Sequence, residues 1–133
     1  MYSLIYDMAK LVEMDERASI FAQMDKEDNV KGSVILINKF SVAHNEIDQF
    51  LNGWETEAEK FKQQPGYIST QLHRGIGESG TFINYAVWES VAHFKKAVSN
   101  VIDPKNPVSA FPPGTTVSPH LFKKVAVSGL CVE

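Results

Sequence analysis

Apolar residues recur along this chain in two rhythms, and each change of rhythm marks a new element. Leu4, Ile5, Met8, Leu11, Val12, Ile20, Phe21 and Met24 fall near helical spacing, so residues 3 to 25 read as one bent helix or two short ones. Asp28-Asn29 and Gly32 close that segment. Ser33 to Phe40 is rich in β-branched residues and predicts a strand. Ile47, Phe50, Leu51, Trp54, Ala58 and Phe61 then recur at helical intervals, which predicts an amphipathic helix that Pro65-Gly66 stops.

The rhythm turns strand-like again at Tyr67 to Arg74 and at Thr81 to Glu89, and the turn Gly75 to Gly80 between them makes a hairpin. Ser90 is placed to cap a following helix whose buried side carries Val91, Phe94, Ala97 and Val98. Five of the six prolines lie between Asp103 and Pro119, which excludes regular helix or central strand there. Leu121 to Val127 supplies a fourth strand. The order is β-α-β-β-α-β, the ferredoxin-like α+β plan, over residues 31–133, behind a helical extension at residues 1–30.

The strands are apolar on both faces: Val34, Leu36 and Phe40 alternate with Ile35 and Ile37, and Phe82 and Ala86 with Ile83 and Val87. Two helices can cover only one face of such a sheet, so the other is expected to meet a second copy in a two-fold dimer. Polar residues interrupt the pattern at three places. Alternation puts Asn84 on one face with Phe82, Ala86 and Trp88, where a buried amide without partners costs roughly 1 to 3 kcal/mol. Asn38 interrupts the apolar face between Leu36 and Phe40; either it serves backbone groups or it serves a ligand. His73 shares a polar face with Tyr67, Ser69 and Gln71, suited to a pocket or a subunit seam.

At 133 residues, 44% hydrophobic and 22% charged with net charge -3, the chain suits one globular domain and offers no basic surface for nucleic acid. Cys131 is the single cysteine, so no intrachain disulfide and no cysteine-based metal site is expected. Asp7, Lys10, Glu13, Asp15, Glu16 and Arg17 break any membrane-length or leader-like run, and a cytoplasmic location is the expectation. Gly75-Ile76-Gly77-Glu78-Ser79-Gly80 has the letters of a dinucleotide fingerprint, but a strand rather than a helix follows it, so it reads as a hairpin turn. His44, His73, His93 and His120 have no metal-ligand spacing, and no nucleophile elbow occurs.

Pro65-Gly66-Tyr67-Ile68-Ser69, Leu72-His73-Arg74 and above all Asn84-Tyr85-Ala86-Val87-Trp88-Glu89-Ser90 resemble the antibiotic biosynthesis monooxygenase family over about residues 33 to 128. The resemblance implies a ferredoxin-like fold pairing into a dimeric α/β barrel. The Asn84 to Ser90 string is similar to the quinone-forming members that use no cofactor, which implies catalytic roles for Asn84, Trp88 and, after the Pro-Gly strand, His73. Asn38, Phe40, Phe82 and Phe94 are the expected substrate-binding residues, Phe94 standing where the anthrone oxygenases carry an aromatic hydroxyl. The pocket arginine of those enzymes has no match between Val98 and Pro119.

The implied reaction joins O2 to a small electron-rich aromatic of phenol, anthrone or hydroquinone type. A phenolate or carbanion gives O2 one electron, couples with the superoxide, and loses water to leave a quinone. The expected protein roles are proton transfer by His73, hydrogen bonds from Asn84 and Asn38 to substrate oxygen or peroxide, and orientation of the ring by Trp88. Two other readings stand beside this one. A haem-binding or haem-degrading monooxygenase would want a histidine on the helix after Trp88, where Val98, Ser99 and Asn100 lie and His93 comes too early. A non-catalytic dimeric barrel binding a small molecule would use the same polar residues structurally.

Overall fold

The computed structural model describes residues 8–26 and 30–132. Its strands are β1 (Lys10–Leu11), β2 (Val34–Val42), β3 (Tyr67–Arg74), β4 (Thr81–Trp88) and β5 (Thr115–Phe122). Its helices are α1 (Ile20–Met24), α2 (Ile47–Lys62) and α3 (Val91–Val101), with a 3-10 turn, His44–Glu46, leading into α2. The strands form one sheet in the order β1-β5-β2-β4-β3, antiparallel throughout except for the β1–β5 pair. This is the expected α+β, ferredoxin-like arrangement with a short fifth strand at one edge.

Local chemistry explains the element ends. Ser90 Oγ accepts the His93 backbone N–H at 3.1 Å and starts α3, a cap whose loss typically costs about 1 kcal/mol. In α2, Asp48 in the first turn and Lys60 and Lys62 in the last lie favourably along the helix dipole. The Gly75–Gly80 segment is indeed a hairpin turn between β3 and β4, with Gly77 and Glu78 at positive φ (72° and 58°) and the Gly75 N–H bonded to the Thr81 carbonyl.

Two expectations need correcting. Of the residues read as N-terminal helix, Leu4 and Ile5 lie outside the described residues, and from Met8 onward only Ile20–Met24 is helical. Asp15 explains part of this, because its carboxylate accepts both the backbone N–H and the guanidinium of Arg17, a local turn that competes with helix. Leu11 meanwhile pairs with Val117 of β5. The terminators Asp28 and Asn29 also lie outside the described residues. The last long strand runs over Thr115–Phe122, not Leu121 to Val127, and it contains Pro119. Val117 accepts from Val12, and Leu121 is bonded at both N and O to the Gln23 side chain, so alternate backbone groups of β5 point to its outer edge. The missing N–H of Pro119 falls on that edge, where no ladder bond is lost.

Gln23 thus stands in for a strand: its amide donates to the Leu121 carbonyl at 3.0 Å and its oxygen accepts the Leu121 N–H at 2.9 Å. That closes the sheet edge beyond the end of β1. Even-numbered residues of β2 and β4 face the helices and build two apolar clusters. One gathers Val34, Leu36, Ala86, Trp88, Phe94 and Leu121 with Ile20 and Met24 of α1; the other gathers Phe40, Val42, Phe50, Phe82, Val108 and Val117. Between them β2 and β4 set Asn38 directly opposite Asn84. Among the described residues no helix lies over the opposite face of the sheet, which carries Ile35, Ile37, Ile83, Tyr85 and Val87, with Ile83 and Tyr85 each 38% exposed.

Candidate active site

A cavity of about 130 Å³ opens at the Asn38–Asn84 rung, between the sheet and the helices. Its floor is Leu36, Asn38, Phe40, Thr70, Asn84, Ala86 and Trp88 from the sheet, its roof Trp54, Glu57, Ala58 and Phe61 from α2. Phe94 and Val98 of α3 line one side, Ile20, Phe21 and Met24 of α1 another, and Pro107 and Phe111 the end. The walls are mostly apolar with few polar groups, the composition typical of small-molecule sites.

The proline-rich segment is wall rather than free loop. Phe111 stacks on Phe50 at 5.5 Å, Pro112 is fully buried, and the Gly114 N–H is held by Glu46 Oε1 at 2.8 Å. Its close seat on α2 depends on Gly53, where a Cβ would collide with the Ala110 carbonyl oxygen.

The two carboxamides are anchored by their oxygens. Asn38 Oδ1 accepts the Ser118 backbone N–H at 3.1 Å; since a backbone N–H can only donate, this fixes the orientation of the amide. Asn84 Oδ1 accepts from the Thr70 hydroxyl. Among the described residues neither NH2 group has a protein partner, and both residues lie on the wall of the cavity. Directly opposed residues of an antiparallel pair have Cβ atoms roughly 4.5–5.5 Å apart, so the two carboxamides stand side by side on the cavity wall, their oxygens held toward β5 and β3.

Trp88 ends the same face of β4 and is 1% exposed. Phe61, Tyr67 and Phe94 surround it edge-on with centroids 5.7–6.0 Å away. Its indole Nε1–H has no hydrogen-bond partner among the described residues. A buried donor left unpaired costs about 1–3 kcal/mol, and here it belongs to a residue that lines the cavity.

Glu57 is a site residue that the sequence reading missed. Burial raises its carboxyl from the ordinary 4.5 to about 7, against the opposing pull of Lys60. The signal was present: Glu57 lies three residues after Trp54 and four before Phe61, so a charge stands inside the apolar stripe of α2.

Of the residues expected at the site, the structure gathers Asn38, Phe40, Asn84, Trp88 and Phe94 around the cavity. Phe82 packs instead against Phe50 at 4.9 Å, in the second cluster. His73 lies opposite Ile83 on the uncovered face, exposed, and is not brought together with Asn84. The strand period decides this, since Leu72, not His73, pairs with Asn84.

A haem held from α3 does not fit these residues. The cavity wall carries no histidine among the described residues, and His93 is engaged elsewhere: Nδ1 meets Ser90 Oγ at 2.7 Å and Nε2 lies 3.5 Å from Glu89. Among the described residues no three His, Cys, Asp or Glu side chains are grouped to hold a metal ion, and no helix is long and apolar enough to cross a membrane.

Among protein families, residues 33–101 match the antibiotic biosynthesis monooxygenase model. No curated protein sequence matches the chain. Among solved structures, a proposed monooxygenase from Shewanella loihica PV-4 is 31% identical with a TM-score of 0.62, over 74% of this chain and 99% of that one. SnoaB, a cofactor-independent oxygenase from Streptomyces nogalater, is 24% identical with a TM-score of 0.61, over 74% of this chain and 98% of that one. The family match spans β2 to α3, the elements that carry Asn38, Glu57, Asn84 and Trp88. The chain belongs to the antibiotic biosynthesis monooxygenase family.

Proposed function

We propose that the protein is a cofactor-independent monooxygenase that oxidises a small electron-rich aromatic with O2 to a quinone. The observation that carries the reading is the pair of carboxamides, Asn38 and Asn84, held by their oxygens on the wall of a mostly apolar cavity, beside Trp88, whose indole N–H has no partner among the described residues. Triplet O2 reacts slowly with closed-shell molecules, so the protein must favour the substrate anion, which can pass O2 one electron. Fixed donors aimed at the substrate oxygen stabilise that anion and then the peroxide. The carbon that binds oxygen loses its hydrogen and the outer oxygen as water, leaving the carbonyl.

SnoaB, described as cofactor-independent, supports the absence of a cofactor on this reading. The cavity is close in size to the roughly 150 Å³ apolar cavities that take benzene, which favours phenols and hydroquinones of one or two rings over larger substrates. The enzyme works as a homodimer joined through the uncovered face, where Ile35, Ile37, Ile83 and Tyr85 lie exposed or half-buried and where His73 becomes a seam residue. On this reading it acts in the cytoplasm, a reducing compartment that suits the single unpaired Cys131.

The test is oxygen uptake by metal-free protein on dihydroxynaphthalenes, hydroquinones and anthrones. Uptake above the spontaneous rate is expected, with Asn84→Ala lowering kcat by about 10²–10³, the effect of losing one oxyanion donor. No enzyme-dependent uptake from any member of the panel would sink the proposal.

A further inference from the structure

A phenolic substrate enters neutral near pH 7, its hydroxyl pKa lying near 10 like that of tyrosine, so the chemistry needs a base on the cavity wall. His73, the base expected from sequence, is on the other side of the sheet. Among the described residues lining the cavity, Glu57 is the only carboxylic acid, and no histidine, lysine or arginine stands there. It descends from α2 opposite the sheet residues Asn38 and Asn84, so a ring bound between helix and sheet has amide donors on one side and the carboxylate on the other. Resting on the monooxygenase reading above, we propose that Glu57 is the catalytic base, taking the substrate's hydroxyl proton and returning it to the peroxide.

The proton inventory closes. Ionised Glu57 accepts the hydroxyl proton, and the phenolate gives O2 one electron and couples to the superoxide through a ring carbon. The new peroxide anion takes the proton back from Glu57. The ring carbon then gives up its hydrogen as the O–O bond breaks, releasing water and leaving a quinone carbonyl; Glu57 is again a carboxylate. The substrate's C–H, its O–H and O2 have become two quinone carbonyls and one water, with O2 as the only oxidant.

The carboxylate is suited to this duty. Among the described residues no hydrogen bond or ion pair claims it, and its pKa near 7 matches it to proton transfer at neutral pH. The charged or titratable groups around it are Lys60 one turn along α2, Asp103 beyond α3 and Tyr67 of β3. Glu57 also borders a second, polar cleft with Asn52, Thr56, Lys60 and Asp103, which gives it a side toward solvent for re-equilibration between turnovers.

The test is the pH profile of oxygen uptake for wild type, Glu57→Gln and Glu57→Asp on a neutral hydroquinone. Wild-type kcat/KM should rise to a plateau through an inflexion near pH 7. Glu57→Gln should lose about a hundredfold or more at pH 7, within the usual range for a general base. It should also lose the inflexion and climb with pH toward the substrate's own pKa, a rescue that a merely structural residue would not give. Glu57→Asp should keep the inflexion at reduced rate. A folded Glu57→Gln within threefold of wild type, with the same profile, overturns the base while leaving the monooxygenase reading intact. Wild type inactive on the whole panel overturns both. Should Glu57→Gln fail to fold, the other two proteins decide: a flat wild-type profile between pH 5 and 9 rejects the proposal.

Discussion

Two aromatic clusters lie under the same helices and do opposite work. Around Phe50, itself 0% exposed, the rings of Phe40, Phe82 and Phe111 sit 4.9–5.5 Å away. Around Trp88, 1% exposed, Phe61, Tyr67 and Phe94 stand at 5.7–6.0 Å, edge-on. Burial does not separate the two. What separates them is that Trp88 carries a polar group without a partner among the described residues, while the four rings of the other cluster, of which Phe40 and Phe111 also line the cavity, bring no polar atom. A full core and a site can therefore share one sheet face, with the Asn38–Asn84 rung between them.

The largest break in this comparison should come from Phe50→Ala. Truncating a fully buried phenylalanine costs about 3–5 kcal/mol, a large share of a domain's stability of roughly 5–15 kcal/mol. The melting temperature should fall by roughly 10–20 °C, while protein still folded in the cold keeps most of its oxygen uptake. Retained stability would show that the Phe50 cluster is not the tight half of the core.

Glu57 sharpens the comparison by pH. Its folded pKa of about 7 lies above the ordinary 4.5, so below about 4.5 both folded and unfolded states hold the proton. Between 4.5 and 7 the unfolded chain releases it and the folded protein does not, so stability drains away as pH rises and levels off above 7. Glu57→Gln removes that penalty. The variant should melt with the wild type at pH 4 and several degrees above it at pH 8; an equal difference at both pH values would mean that the carboxyl is not raised by burial.

Much of this layout could be read from the chain, and the failures have physical causes. The Asn84–Trp88 alternation was legible because strand period 2 is rigid: one residue of slip reverses every side chain. The same rigidity defeats His73, since a family string suggests a role but the register sends that ring to the far face. Glu57 is hard to see in the chain because Phe50, Leu51, Trp54, Ala58 and Phe61 complete the apolar period of α2 without it, and a charge beside such a stripe is ordinarily solvated. The N-terminal segment misled because helical spacing among Met8, Leu11 and Val12 competes with the Asp15–Arg17 turn and with pairing to β5, which periodicity alone does not weigh. Pro119 misled by suggesting loop, when one free strand edge accommodates it.

The smallest expected effect tests the comparison most finely. Trp88→Phe removes the indole N–H and leaves a little empty volume, two changes that oppose one another. Loss of the unpaired donor relieves about 1–3 kcal/mol and the vacated space takes back a similar amount, so urea midpoints of variant and wild type should differ by less than about 1 kcal/mol in stability. Ligands should separate them. A phenolic inhibitor with an acceptor oxygen should raise the wild-type melting temperature more than the variant's, whereas naphthalene, with no acceptor, should raise both alike. A loss of 3 kcal/mol or more in Trp88→Phe, with both ligands equally stabilising, would make Trp88 a core residue of the same kind as Phe50. The distinction between the two clusters would then fail, because Trp88's orphan N–H would have no acceptor to find.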